Sequence, residues 1–516
     1  MKNFNVAVAI ENKSMGYYLL VALFITVSFA IKASENYIVI NKKNVRHAFV
    51  SFDGPTDHWS TDHFVKNIFV EWEQETFDVF DEVKDPDGIA IDLGAWIGTT
   101  AIWLSKNFNH VIAVDADPVS LQCLKNNLEA SECSNVTVCQ RPVAQTSNIL
   151  FFGPREDVFN KSTSSIKNES NNINDYSVQA ITFKQLIHDY VYENDAIKDK
   201  KISFIKCDIE GGEESILEDV LYFAYHNKVK VYMSFHVSWW KSKNIADFEY
   251  LFKFFKTNCP NSDIVAYIQK NPFTSILFEP LDNAGTLIKK NIPVVVIGYN
   301  QLTYIKNMVS QLEKYTTDII VVDNNSNYEP LLNYYAHDFK YTLLRQKVNY
   351  GHRVVDNSFI QSLVGDVYIM TDPDLKFNNN LPDNFIEVLL EISNHFKVRK
   401  IGFAILIDSD QIREDTLSHG YTIKQWERQF WEKRLDYPIN SSLELYDAFI
   451  DTTFCLINKN FTSSDVNTAI RVAGDYTCFH IPWFKDFKKF LIPGEYEAYL
   501  KNIIIPTCFQ YDDSIS

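Results

Sequence analysis

The chain contains no Cys-x-x-Cys pair. Its eight cysteines, Cys123, Cys133, Cys139, Cys207, Cys259, Cys455, Cys478 and Cys508, are scattered. That spacing argues against a zinc site, a redox pair and a disulfide framework, and the reduced thiols it implies suit a cytosolic setting. Positive charge is also scarce. Forty-nine Lys and Arg against 66 Asp and Glu leave a formal charge of -17, whereas a phosphate-tracking surface needs clustered cations. No nucleic-acid partner is expected. A full-length spanning run, about 20 apolar residues, is missing as well. The nearest approach is Gly16 to Ile31, between Lys13 and Lys32.

That segment reads as a short membrane anchor, as a cleaved signal, because Ser28-Phe29-Ala30 offers small residues at suitable positions, or as a buried segment. Lys32, Lys42, Lys43 and Arg46 outnumber Lys2 and Lys13, so an anchor would leave the catalytic bulk facing the cytosol. Beyond it, 516 residues with 46% hydrophobic content exceed one ordinary core and predict two domains. The boundaries read as a hydrophobic segment 1–34, a first domain 35–282 and a second domain 286–516. The turn-rich Glu279 to Gly285 forms the link.

Ile89-Ala90-Ile91 is a short apolar run of the kind buried on both faces of a parallel sheet, and it ends at Asp92. Gly94 and Gly98 then permit a tight turn and close approach of a ligand, before a helix opens at Thr99. A second strand, Val111 to Val114, ends at Asp115, where a carboxylate can hold ribose hydroxyls. Asp117 caps the next helix with Pro118 at its first position. A nicotinamide dehydrogenase would share this order. Here, however, an acid precedes the glycines and their spacing is Gly-x-x-x-Gly, which favours S-adenosylmethionine over a dinucleotide.

Farther on, Ile202 to Cys207 reads as a strand leading into Asp208-Ile209-Glu210-Gly211-Gly212-Glu213, with Glu210 and Glu213 expected in the first turn of a helix. Another strand ends at His236. The Asp-x-Glu-Gly-x-Glu segment resembles the FkbM family of S-adenosylmethionine-dependent O-methyltransferases, over about Glu71 to Phe278. The resemblance implies that Asp92, Gly94 and Gly98 hold the methionine side of the cofactor and Asp115 the ribose. Asp115-Ala116 stands where the family often has Glu-Pro. Asp208, Glu210, Glu213 and His236 are the acid-base candidates for taking a hydroxyl proton. An Asn/Asp-Pro-Pro-aromatic segment, usual in amino-methylating nucleic-acid enzymes, is absent after the fourth strand.

The second half opens on the strand Pro293 to Ile297, ending at Gly298-Tyr299-Asn300, with an apolar-spaced helix through Leu302 and Leu312. Ile319 to Val322 ends at Asp323-Asn324-Asn325-Ser326, and a later strand runs into Asp372-Pro373-Asp374. Paired acids at a strand end can hold Mn2+ or Mg2+ against a diphosphate. Together with Asn349-x-Gly351, the set resembles inverting GT-A glycosyltransferases of the family-2 kind, over about Ile292 to Ile481. By that resemblance Asp323 contacts the base, Asp372 lies toward the ribose and Asp374 binds the metal. Asp451 is the candidate base, and His480 either completes the metal site or packs beside Trp483.

The fold expected is α/β in both halves, a Rossmann-like methyltransferase sheet followed by a GT-A nucleotide-sugar fold. Polar Asn160 to Asn174 is expected to be a mobile insertion. The function expected is a bifunctional enzyme that O-methylates a sugar hydroxyl and transfers a sugar from a nucleotide-sugar donor to a glycan or glycoconjugate. Two alternatives stand beside it. One half is a non-catalytic glycan-recognition module, or the methyl acceptor is a lipid or small-molecule hydroxyl.

Overall fold

The computed structural model describes residues 37–50, 61–154, 164–167, 176–414, 420–440, 442–462 and 469–501. The apolar segment 16–31 lies outside them, and so does most of 160–174. Among the described residues, no helix is long and apolar enough to cross a membrane.

The first half builds an antiparallel pair, β1 (Tyr37–Lys42) and β2 (Val45–Val50), then β3 (Asp85–Leu93), β4 (Phe108–Val114) and β5 (Val136–Cys139). A small antiparallel unit follows, β6 (Ile149–Pro154), β7 (Ser164–Lys167) and β8 (Tyr176–Gln179). Part of the expected mobile insertion is thus a paired strand. The chain returns to the main sheet with β9 (Ile202–Cys207), β10 (Lys230–His236), β11 (Phe255–Thr257) and β12 (Phe273–Pro280).

The main sheet runs in the order β11-β12-β10-β9-β3-β4-β5. The five strands from β10 to the edge strand β5 are parallel, and β12 is antiparallel to both β10 and β11. From β3 the chain first moves outward to β4 and β5, then returns to the other side of β3 as β9. The order therefore reverses between β3 and β9, where a crevice opens at the strand ends. Register brings those ends level, with Leu93 beside both Val114 and Cys207.

The second half contributes β13 (Val294–Gly298), β14 (Ile319–Asp323), β15 (Thr342–Arg345), β16 (Val367–Thr371), β17 (Leu375–Lys376), β18 (Lys400–Phe403), β19 (Arg434–Leu435), β20 (Leu445–Asp447), β21 (Cys455–Asn458), β22 (Ile470–Val472) and β23 (Phe479–His480). Nine of these form one mixed sheet, β15-β14-β13-β16-β21-β18-β22-β20-β19, and β17 pairs separately with β23. Fully buried Val/Ile runs in β13 and β14 explain why both lie inside the sheet.

The halves are packed together. One apolar cluster runs from Leu93, Ile205 and Val231 of the first sheet, through Leu217 and Leu221 of the helix Glu213–Asn227, to Val295, Ile320 and Met370 of the second. Lys184 bonds Asp318 at 2.9 Å and Lys289 bonds Asp219 at 2.6 Å, both across the join. Tyr222 Oη donates to the Val364 carbonyl at 3.2 Å, and a Cβ on Gly365 would lie 2.2 Å from that Oη.

Candidate active sites

At the end of β3 the fully buried Asp92 accepts a hydrogen bond from Thr100 Oγ1 at 2.7 Å and faces Lys206 Nζ at 3.2 Å. Asp92 and Lys206 are register partners on adjacent strands. Lys206 also donates to the Gly94 carbonyl at 2.8 Å. Burial alone would lower the Lys206 pKa, but Asp92, Asp208 and Glu73 hold it above the ordinary value. Burial raises that of Asp92. The pair anchors the turn. A Cβ on Gly94, at φ +80, would sit 1.8 Å from the Asp208 carbonyl, so glycine is what lets β3 and β9 end this close.

Beside that turn lies a cavity of ≈ 270 Å³, walled in part by Gly94, Trp96, Asp115, Lys206, Asp208 and Glu210. Neither Asp92 nor Gly98 is among its walls. Asp115 accepts from the Trp96 amide at 2.7 Å and from the Asp117 amide at 2.9 Å, one on each oxygen. Burial pushes its pKa up to about 7. Asp117 caps the helix Pro118–Ala130 as expected, accepting from the Val119 amide at 2.8 Å.

The other end of the crevice belongs to β9 and β10. The helix begins at Glu213, so Glu210 precedes it, at φ +55, and is not in the helical first turn expected from sequence. Gly211, at φ +94, turns the chain before the helix can start. Glu213 is fully buried and accepts from the Ile209 and Gly211 amides at 3.1 and 3.2 Å. The same oxygen lies 3.0 Å from His236 Nδ1. His236 Nε2 lies 3.7 Å from Asp208 Oδ1 and 3.8 Å from Glu210 Oε2. Although burial acts to lower it, the hydrogen bond to Glu213 and the neighbouring carboxylates raise the His236 pKa to about 9. Trp239 stacks on His236 with ring centroids 5.0 Å apart, and the exposed Phe273 meets Trp239 edge-on at 5.1 Å.

In the second half, three of the four sequence elements are tied directly together. Asn300, at φ +51, donates its amide to Ser326 Oγ at 2.9 Å, and its Oδ1 accepts from the Asn327 and Tyr328 amides at 2.8 and 3.0 Å. Asn324 accepts from the Tyr350 amide at 3.2 Å and donates to the Gly351 carbonyl at 3.0 Å. Asp323 is fully buried, accepting from the Ser326 amide at 3.0 Å and Arg345 Nε at 3.3 Å. Burial raises its pKa.

Asp372 accepts from Thr452 Oγ1 at 2.6 Å, which brings the Asp451 segment against it. Burial, with Asp374 and Asp451 nearby, holds Asp372 well above the carboxylate range. Asp374 Oδ2 lies 3.6 Å from His480 Nε2, because β17 pairs with β23 and Leu375 is the register partner of His480. Burial lowers the His480 pKa to about 4, leaving a neutral imidazole at pH 7. Asp374 Oδ1 and His480 Nδ1 are buried and make no hydrogen bond, as fits a pair that meets a cation. His480 also packs on Trp483, with centroids 4.6 Å apart, so ligation and core packing are compatible here. Asp451 is exposed at the surface and accepts from the Thr453 amide at 3.0 Å.

Several groups escaped the sequence reading. Lys206 could have been found, since a lysine in the buried register opposite a buried aspartate implies pairing. Glu73, a cavity wall, and Glu427, the buried partner of Arg471, carried no local motif.

Comparison with known proteins divides the chain in the same way. A methyltransferase FkbM domain model matches residues 92–268, and a glycosyl transferase family 2 model matches residues 294–461. No curated protein matches. Similar solved structures include an rRNA methylase from Streptococcus thermophilus, at 14% identity over 40% of this chain and 95% of that one, TM-score 0.24. A methyltransferase FkbM from Methylobacillus flagellatus is 19% identical over 39% of this chain, TM-score 0.23, and this chain spans half of its length. A putative Streptococcus mutans methyltransferase in complex with SAH is 13% identical over 40% of this chain and 96% of its own, TM-score 0.24.

Proposed function

We propose, from the premise that this chain joins an FkbM methyltransferase domain to a family 2 glycosyltransferase domain, that it O-methylates a sugar hydroxyl and transfers a sugar to the same class of acceptor. The observation that carries this reading is the pair of acid-lined strand edges, one per sheet, within a single packed body. In the first half, S-adenosylmethionine would supply an electrophilic methyl group. Asp115 would accept hydrogen bonds from the ribose hydroxyls, and Gly94 would let the backbone approach the methionine end. Asp115 follows β4 while Asp208 follows β9, two strand spacings away, or roughly 10 Å. That span suits a ligand lying across the crevice, with its methyl end toward β9.

Asp208 and Glu210 would then hold the acceptor hydroxyl in line and draw off its proton. Positioning of this kind is worth on the order of 7–11 kcal/mol. The aromatic face of Trp239 and Phe273 supports a sugar acceptor, whose C–H surface packs on such rings while its hydroxyls reach the carboxylates.

In the second half, Asp374 and His480 would hold a divalent cation that offsets charge on a departing nucleoside diphosphate. Asp323 and Arg345 would read the base, Asp372 would face the ribose, and Asp451 would take the proton of the incoming hydroxyl. The test follows labelled methyl and labelled sugar into one glycan, using Asp115→Asn and Asp374→Asn chains. Each variant is expected to lose one label and keep the other. If either variant still incorporates both labels, the site assignment fails. If one half of the wild-type chain binds glycan but never its donor, that half is a recognition module.

A further inference from the structure

The corner formed by Asp208, Glu210 and His236 is built like a metal site, and it lies in the half for which no metal was expected. One donor atom from each of the three falls within 4.8 Å of the other two. Two donors about 2.1 Å from one Mg2+-sized ion stand about 3.0 to 4.2 Å apart, from adjacent to opposite corners. The 3.7 and 3.8 Å from His236 Nε2 to the two carboxylates fall inside that range.

Two independent observations point the same way. Asp208 Oδ1 is buried and accepts no hydrogen bond, an arrangement that costs free energy unless a cation or donor meets it. The second is the carboxylate behind the imidazole. Glu213, wholly buried and pinned by two backbone amides, engages Nδ1 and so turns Nε2 toward Asp208 and Glu210. Carboxylate–histidine–metal relays use this arrangement to fix the ring and raise its basicity. Asp208 and Glu210 also wall the cavity, so an ion held there would keep coordination positions open to a ligand inside it.

We infer that Asp208, Glu210 and His236 Nε2 form a divalent-cation site in the methyltransferase half, and that the ion binds the acceptor through one hydroxyl oxygen or two vicinal ones. The inference rests on the methyl-transfer reading for the identity of its ligand, though not for the ion itself. The two carboxylates suit Mn2+ or Mg2+, and the imidazole favours Mn2+ or another first-row divalent ion over Mg2+. A bound ion would lower the pKa of a coordinated hydroxyl. With the ion bound, Asp208 and Glu210 would serve as its ligands rather than as the base: the hydroxyl proton would pass to water in the open cavity, the oxygen's electron pair would form the new bond to the methyl carbon, and the broken C–S bond would leave its pair on sulfur. A sugar diol, which offers two oxygens to one ion, is the acceptor this favours.

The experiment titrates Mn2+ into the chelator-stripped full-length protein without nucleotide, reading free Mn2+ by electron paramagnetic resonance, with SAH binding measured in parallel by calorimetry. Binding is expected in the wild type and in Asp374→Asn, whose own site draws much of its affinity from a diphosphate. It is expected to weaken at least tenfold in His236→Gln and in Glu210→Gln, and about 10- to 100-fold in Glu213→Gln, which keeps all three ligands but loosens the ring. Wild-type protein that binds SAH and no Mn2+ overturns the inference while leaving methyl transfer intact. Mn2+ binding lost only in Asp374→Asn overturns it as well. Protein that binds Mn2+ as expected but no SAH keeps the cation site and removes the methyl-transfer reading.

Discussion

Lys206 shows how one buried charge can organise a site. It joins Asp92, the Gly94 carbonyl and the field of Asp208 at the point where β3 and β9 diverge. Removing it leaves Asp92 buried with an uncompensated charge, a loss of about 3–5 kcal/mol for such pairs. Lys206→Ala is therefore expected to lower the denaturant midpoint sharply, whereas an exposed Lys106→Ala should leave it nearly unchanged. Asp115 makes a second residue-scale prediction. Its pKa, raised to about 7 by burial, means that the carboxylate is ionised, and best able to accept ribose hydroxyls, only above neutrality. SAH affinity is expected to fall as pH drops from 8 to 6, and Asp115→Asn should flatten that profile in calorimetry. Below the unfolded carboxylate pKa of about 4, Asp115 is protonated in both states and costs the fold nothing. Stability linked to this group therefore declines as pH rises from about 4 to 7, opposite in sign to a salt-bridged aspartate.

Elements explain why some positions tolerate no side chain. The turn after β3 works because Gly94 leaves room for the backbone of Asp208. Gly94→Ala would put a methyl group inside that carbonyl, forcing the two strand ends apart and reshaping the cavity between them. Loss of SAH binding with the fold retained by circular dichroism is the expected result, and unchanged affinity would remove Gly94 from the site. The element scale also marks how far local signals reach. The run from Ile89 to Asp92, the cap at Asp117 and the apolar spacing from Leu302 to Leu312 each appear where the sequence placed them. Glu210 does not, because two glycines after it delay the helix until Glu213. His236 was legible as a strand-end residue, but its partners Glu213 and Trp239 lie on different elements, and no spacing in the chain announces their meeting.

At the scale of the whole molecule, the two halves behave as one body. Lys184, Asp219, Lys289 and Asp318 form a buried four-charge cluster whose two cross-domain contacts, 2.9 and 2.6 Å, sit beside a shared apolar layer. Burial acts to raise the Asp219 pKa, but the two lysines hold it below its usual 3.8; burial acts to lower that of Lys289, but Asp219 and Asp318 hold it well above its usual 10.5. The aspartate's contribution is present above about pH 3.8 and lost as pH falls through its lower folded value. The lysine's contribution is present below about pH 10.5 and lost only at higher pH. Calorimetry is expected to show one unfolding transition for both halves across neutral pH. Asp318→Ala should lower it or split it in two, whereas two separate transitions in the wild type would contradict a shared core.

The sequence alone determined the two alternating α/β halves, the strands that end in acids, and the families each half resembles. These rest on short-range physics: buried runs, glycine turns and caps span only a few residues. The tertiary structure decided what no local window contains. It set Lys206 against Asp92, brought His480 to Asp374 through the pairing of β23 with β17, gathered Asp208, Glu210 and His236 into one corner, and packed a helix of one half against the sheet of the other. Each of those contacts joins residues on separate strands or helices, so strand order and register, rather than spacing along the chain, determine which charges share a site.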